Sequence, residues 1–279
     1  MRRRRAGWFE ELKSEYMRKI RLFVLGVLGI TVFMGCKYRT EKRQALQEDM
    51  SVMPERGSVS VWTELPLLDS AGLVSQPDTE TEKRLRATGL IDIAEIDPSI
   101  EVCLMYATAN NFTGQILYVD IQKAFLLPET AHRVADAQRR LKAIRPHWSL
   151  IIYDAVRPMS VQQLMWDRVR HTDKQVYVSN PARGGGLHNY GAAVDISLID
   201  SAGQTVDMGS PVDYFGDEAR PDREEMLLNQ GRITLSALEN RRLLRQVMKE
   251  AGFRPLHSEW WHFNLMSREE AREKLVVIP

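Results

Sequence analysis

Gly186-Leu187-His188-Asn189-Tyr190-Gly191-Ala192-Ala193-Val194-Asp195 is the stretch on which the fold turns. From Ala193 to Ile199 the residues alternate as in a half-buried strand, with Val194, Ile196 and Leu198 on one face and Asp195 and Ser197 on the other. An acid in mid-strand is unfavourable by propensity, so Asp195 needs a partner. Gly191 offers a turn that brings the side chains of His188 and Asp195 to one point. A second stretch, Glu259-Trp260-Trp261-His262-Phe263, adds another imidazole and carboxylate in apolar surroundings. Glu259 and His262 are three apart, so a regular strand would send them to opposite faces, and an irregular or helical turn is required there. Catalytic zinc takes three protein ligands and leaves the fourth position to water. His188, Asp195 and His262 are the expected ligands of one zinc ion, with Glu259 as proton carrier. Taken singly, His188 reads as a surface or satisfied core histidine, Asp195 as a buried acceptor, and Glu-Trp-Trp-His as core aromatics with a polar edge. Both motifs in one chain, in this order, favour the metal.

The pattern S-x-H-x-x-G-x-A-x-D followed by E-x-W-H resembles the zinc D-alanyl-D-alanine dipeptidases, the VanX-like group of a superfamily that also holds D,D-carboxypeptidases and the hedgehog signalling domain. The likeness spans roughly residues 91–264. It implies zinc on His188, Asp195 and His262, and Glu259 as catalytic base. It also implies that Arg157, in Tyr153-Asp154-Ala155-Val156-Arg157-Pro158, polarises the substrate and steadies the transition state. Asp213, in Asp207-Met208-Gly209-Ser210-Pro211-Val212-Asp213, matches an acid placed to meet the substrate's ammonium group. Tyr153 is a further candidate for substrate binding. Read without the resemblance, Arg157 is equally an ion-pair partner of Asp154, and Asp213 a solvated loop acid. The serine usual two places before the first histidine is Gly186 here, which puts substrate affinity or identity in question but not the metal site.

Outward from these motifs, 279 residues with 44% hydrophobic content and six Trp suffice for a packed core in one or two domains. Net charge is +1, unevenly spread: residues 1–35 carry eight Lys/Arg against three Asp/Glu, and the remainder is mildly acidic. No basic stripe is present, so nucleic acid is not an expected partner. Residues 1–36 read as a targeting segment. Basic residues precede the uncharged run Leu22 to Gly35, too short for a membrane span and suited to a secretory signal core. Phe33-Met34-Gly35-Cys36 resembles a lipoprotein signal, implying lipidation at Cys36 and an exported, membrane-anchored protein of the bacterial envelope; an uncleaved anchor is the alternative. Cys103 is then expected as an unpaired, buried thiol. Residues 37–88, rich in charge, Ser, Pro and Thr, read as a tether with a possible strand at Val59–Trp62, and residues 89–279 as the enzyme domain.

Within that domain the patterns predict strands at Ile91–Ile96, Glu101–Tyr106, Leu150–Tyr153 and Ala193–Ile199. They predict helices at Glu129–Ile144, Ser160–Arg170 and Asn240–Gly252. The expected fold is α+β, a small antiparallel sheet carrying the zinc site between flanking helices. The expected activity is hydrolysis of D-alanyl-D-alanine-type dipeptides in cell-wall peptide metabolism or glycopeptide resistance. The alternatives are a D,D-carboxypeptidase acting on longer peptides and a non-catalytic, zinc-stabilised binding module.

Overall fold

The central strand is buried on both faces, not one. In the computed structural model, which describes residues 76–279, every residue of Ala193–Ile199 is buried. It lies third in a five-stranded sheet, hydrogen-bonded to a neighbouring strand along each edge.

In chain order the described elements are α1 (Glu80–Ala87), β1 (Ile91–Asp92), α2 (Ile93–Ile96), β2 (Glu101–Val102), β3 (Phe125–Leu126), α3 (Pro128–Ile144), β4 (Ser149–Asp154), α4 (Met159–Val169), β5 (Ala193–Ile199), α5 (Glu224–Asn229), α6 (Leu235–Glu250), β6 (Arg254–Pro255), β7 (His262–Asn264) and α7 (Arg268–Lys274). The main sheet runs β2-β4-β5-β7-β6, and β1 pairs with β3 apart from it. The fold is α+β as expected, and every pairing in the main sheet is antiparallel except β2 with β4. Those two strands are joined through α3, the kind of crossover that parallel neighbours need. Helix α3 lies against β4 and α6. It starts with Pro at its first turn, where a missing N–H costs nothing, and buries Val134, Ala137 and Leu141.

Several expected boundaries move. The alternation at Ile91–Ile96 is a strand only over its first two residues. The Asp92 side chain then accepts the Ala94 N–H at 3.2 Å and starts a helical turn. Glu101–Tyr106 is likewise strand for two residues, with a 3-10 turn at Met105–Ala107. The third helix begins at Leu235, capped by Thr234, earlier than the predicted Asn240.

The tether was placed at residues 37–88, but residues 80–87 form helix α1 and belong to the folded unit. Glu82 carries the attachment: its carboxylate accepts N–H groups of Gln122 at 2.8 Å and Lys123 at 3.1 Å, while Leu85 enters the core. Thr79 and Glu82 complete a capping box. Cys103 is half-buried beside Ile151, Tyr153 and Ile199, and no described cysteine is free, so the unpaired thiol expected there is not found. The targeting segment, Cys36 and the strand proposed at Val59–Trp62 lie outside the described residues.

Candidate metal centre and active-site cleft

Three neighbouring segments deliver the groups that could hold a metal. His188 sits in a 3-10 turn, Leu187–Tyr190, ended by Gly191 at φ +68°. A Cβ at Gly191 would lie 2.8 Å from Leu90 and 3.2 Å from the Leu127 amide, so the turn packs too closely for any other residue. Asp195 projects from β5, and β7 pairs alongside with Asp195 directly opposite His262. The irregular turn required between Glu259 and His262 is present. Trp260 donates its amide to Ala219 O at 3.0 Å and its indole N–H to Ser210 Oγ at 2.9 Å; Trp261 O accepts the Ile196 amide at 3.0 Å. These bonds pin the two tryptophans into the core and leave Glu259 facing the cleft.

The fit to a cation follows from hydrogen-bond bookkeeping. His188 Nδ1 donates to Ala155 O at 2.7 Å, which directs the lone pair of Nε2 inward. His262 Nε2 meets Asn264 Oδ1 at 2.8 Å, which does the same for Nδ1. Asp195 Oδ1 is the third acceptor. The three atoms lie 2.9, 3.1 and 3.4 Å apart. Facing lone pairs at such distances repel unless a positive charge lies between them. Zinc bound tetrahedrally at about 2.0–2.1 Å sets its ligand atoms roughly 3.4 Å apart, close to this triangle. The acids of the cluster favour positive charge at this place. Burial alone would raise the pKa of Asp195, yet His188 and His262 hold it far below the usual range. Burial likewise disfavours charge on His188, but Asp195 and Asp154 carry its pKa above normal.

Around this triangle lies a cleft of about 540 Å³ lined by Arg157, Asp213, Glu259, Tyr106 and Phe215 among others. Glu259 Oε2 is 4.0 Å from His262 Nδ1, and burial pushes its carboxyl up to about 7 against the pull of His262. Arg157 donates through Nε and Nη2 to Asp154 Oδ2 and through Nη1 to Gln162 Oε1 at 3.1 Å. One N–H remains on each terminal nitrogen, and Nη2 lies 3.8 Å from Asp195 Oδ2. The ion pair with Asp154 and the place in the cleft therefore coexist. Asp154 is fully buried and is also held by Tyr118 Oη at 2.6 Å. Asp213 reaches the cleft from a left-handed backbone conformation, φ +59°, and accepts the Tyr106 hydroxyl. Burial, aided by Asp195, raises its carboxyl to about 7.

Tyr153 does not join the site. Tyr153 packs against Ile151 and Ile199 and does not line the cleft, and the register of β4 shifts between Ile152 and Asp154, which sets Asp154 opposite Asp195. Tyr106, which lies beneath the Arg157 guanidinium at 5.2 Å, is the tyrosine that lines the cleft. Tyr106, Asp154, Gln162 and Asn264 all escaped the sequence reading as site residues. Asn264 was accessible to it: two residues after His262 on a strand, it shares that residue's face. Tyr106 carried no local signal.

Comparison with known proteins agrees with this geometry. A family model described as D-ala-D-ala dipeptidase matches residues 86–277. The D-alanyl-D-alanine dipeptidase of Escherichia coli (strain K12) is 34% identical over 178 residues, 64% of this chain and 85% of that protein. The protein of the same name from Synechocystis is 30% identical over 164 residues, 47% of this chain and 65% of the relative. That from Enterococcus faecium is 25% identical over 193 residues, 63% and 91% respectively. With a match across most of its length and the His-Asp-His triangle built into the sheet, the chain belongs to the D-ala-D-ala dipeptidase family of metallopeptidases.

Proposed function

We propose that this protein hydrolyses D-alanyl-D-alanine-type dipeptides with one zinc ion held by His188, Asp195 and His262. The observation that carries the reading is the convergence of three buried acceptor atoms beside a carboxylate that has no hydrogen-bond partner among the described residues. Zinc in such a site supplies Lewis acidity, which in other enzymes lowers the pKa of water from 15.7 to about 7. Glu259, a carboxylate in the cleft with no hydrogen-bond partner among the described residues, is placed to take the proton from the attacking water and return it to the departing amine. Arg157 directs its two unused N–H groups at the oxygen that gains charge, a contribution of about 3 kcal/mol for one donor in other enzymes. Asp154 and Gln162 keep that guanidinium from swinging away. Asp213, with Tyr106 behind it, accepts the ammonium end of the dipeptide.

The test is metal content with turnover. Purified protein is expected to hold one zinc per chain and to release D-alanine from D-Ala-D-Ala. Chelation should abolish this and added zinc restore it. Cleavage of a cell-wall pentapeptide with no action on the dipeptide would replace this reading by the carboxypeptidase one.

The amino-terminal pattern supports export, with residues 1–36 as the targeting segment and anchorage through lipid on Cys36. Membrane fractionation of the wild type against Cys36→Ala tests it: an unchanged membrane fraction in the variant would remove the lipid.

A further inference from the structure

Three arginines border the cleft, Arg157, Arg254 and Arg268, and they are not equivalent. Arg157 is held by Asp154, and Arg254 pairs with Glu270 at 3.3 Å. Arg268 has no carboxylate within ion-pair distance among the described residues. Its polar partner is a hydroxyl: Nη2 donates to Ser179 Oγ at 2.9 Å. Because Ser179 Oγ accepts that bond, its own O–H is free to donate. This corner of the cleft therefore presents, side by side, a guanidinium with no carboxylate partner among the described residues and a hydroxyl whose proton is free to donate. The dipeptide is a zwitterion, and a group with two acceptor oxygens and a negative charge is what such a corner binds.

Ser179 is fixed in place. Its carbonyl accepts from Gln162 Nε2 at 2.8 Å, and the same Gln162 accepts from Arg157, so the hydroxyl is tied to the arginine of the reaction centre. The space for it comes from Gly186. The backbone there, φ −114°, suits any residue. A Cβ at that position, however, would stand 2.9 Å from Ser179 Oγ and 3.4 Å from Ser179 Cβ. The serine that the motif leads one to expect at 186 and the hydroxyl of Ser179 compete for one place.

We propose that Ser179 and Arg268 together bind the carboxylate of the dipeptide, the Ser179 hydroxyl taking the place of a side chain missing at position 186. The inference rests on the dipeptidase reading and deepens it by naming the residues that recognise one end of the substrate.

The experiment compares D-Ala-D-Ala with its C-terminal amide on the full-length, zinc-loaded protein. The wild type is expected to favour the free acid by about tenfold or more, chiefly in KM, as a charge-assisted hydrogen bond of this kind allows. Arg268→Gln should raise KM for the acid about tenfold, leave kcat within about threefold and leave the amide unchanged. Ser179→Ala should do the same to a smaller extent. Gly186→Ser alone should raise KM, because its side chain meets Ser179, while Ser179→Gly with Gly186→Ser should bring KM back toward the wild type. Thermal melts equal to wild type show that the variants are folded. An unchanged KM for the acid in Arg268→Gln, or an equal loss on acid and amide, would overturn the proposal. Turnover of neither compound by the wild type sinks the dipeptidase reading instead. In that case calorimetric binding of acid and amide decides the subsite: preference for the acid, lost in Arg268→Gln, supports it, and equal or absent binding rejects it.

Discussion

Glu82 and Glu259 are both carboxylates drawn into the protein, and their surroundings differ in one respect. Glu82, at the base of the first helix, accepts three backbone N–H groups, from Thr79, Gln122 and Lys123. Glu259, in the cleft, accepts none among the described residues, and burial lifts its pKa to about 7. Asp92 stands between them, with one N–H bond from Ala94 and a carboxyl raised to about 6 by burial. The number of donors supplied by the fold separates a carboxylate that fastens a helix from one whose pKa burial raises.

Replacing the unsatisfied carboxylate gives the largest effect. Glu259→Gln should reduce kcat by about 10²–10⁴-fold, the usual range for a proton-transferring group. Zinc per chain should stay at the wild-type level, and the melting temperature should hold or rise. A variant that loses its metal would make Glu259 a ligand and erase the contrast with Glu82. Next in size is the support of His262. Asn264→Ala removes the partner of Nε2 and should weaken zinc binding by about 10–100-fold, measured by competition with a chelator.

The saturated carboxylate should behave in the opposite way. Glu82→Ala strands the amides of Gln122 and Lys123, costing about 3 kcal/mol of stability and lowering the melting temperature by about 10 °C. Dipeptide turnover at low temperature should be unaffected; a large loss of turnover with an unchanged melt would break the comparison. The intermediate case is a pH experiment with a smaller expected effect. The folded-state pKa of Asp92 lies above its unfolded value, so its favourable contribution is complete below about pH 4 and is lost as pH rises through about 6. Asp92→Asn keeps an oxygen for the Ala94 amide. It should melt higher than the wild type at pH 7, by about 1–2 kcal/mol, with the gap closing below pH 4. A gap independent of pH would mean that charge is not the cause.

The sequence carried the candidate metal cluster more clearly than the elements around it. His188, Asp195 and His262 were legible because polar groups in apolar runs demand partners, and one reading satisfied all three. Tyr153 is excluded from the cleft by the register shift between Ile152 and Asp154, an irregularity that no local pattern announces. Ile91–Ile96 alternates like a strand, but one capping bond from Asp92 was enough to wind it into helix.

By itself the sequence determined the long helices and the central strand and singled out the three residues of the candidate metal cluster, since each depends on residue type and short-range periodicity. Only the tertiary structure decided that the strand is covered on both faces, that Glu82 fastens the first helix, and that Tyr106 and Ser179 stand in the cleft. Those outcomes depend on residues brought together from distant parts of the chain: Glu82 meets Gln122, Tyr106 meets Asp213, and Arg268 meets Ser179. A contact across such separations is set by packing of the whole core, which no local pattern encodes.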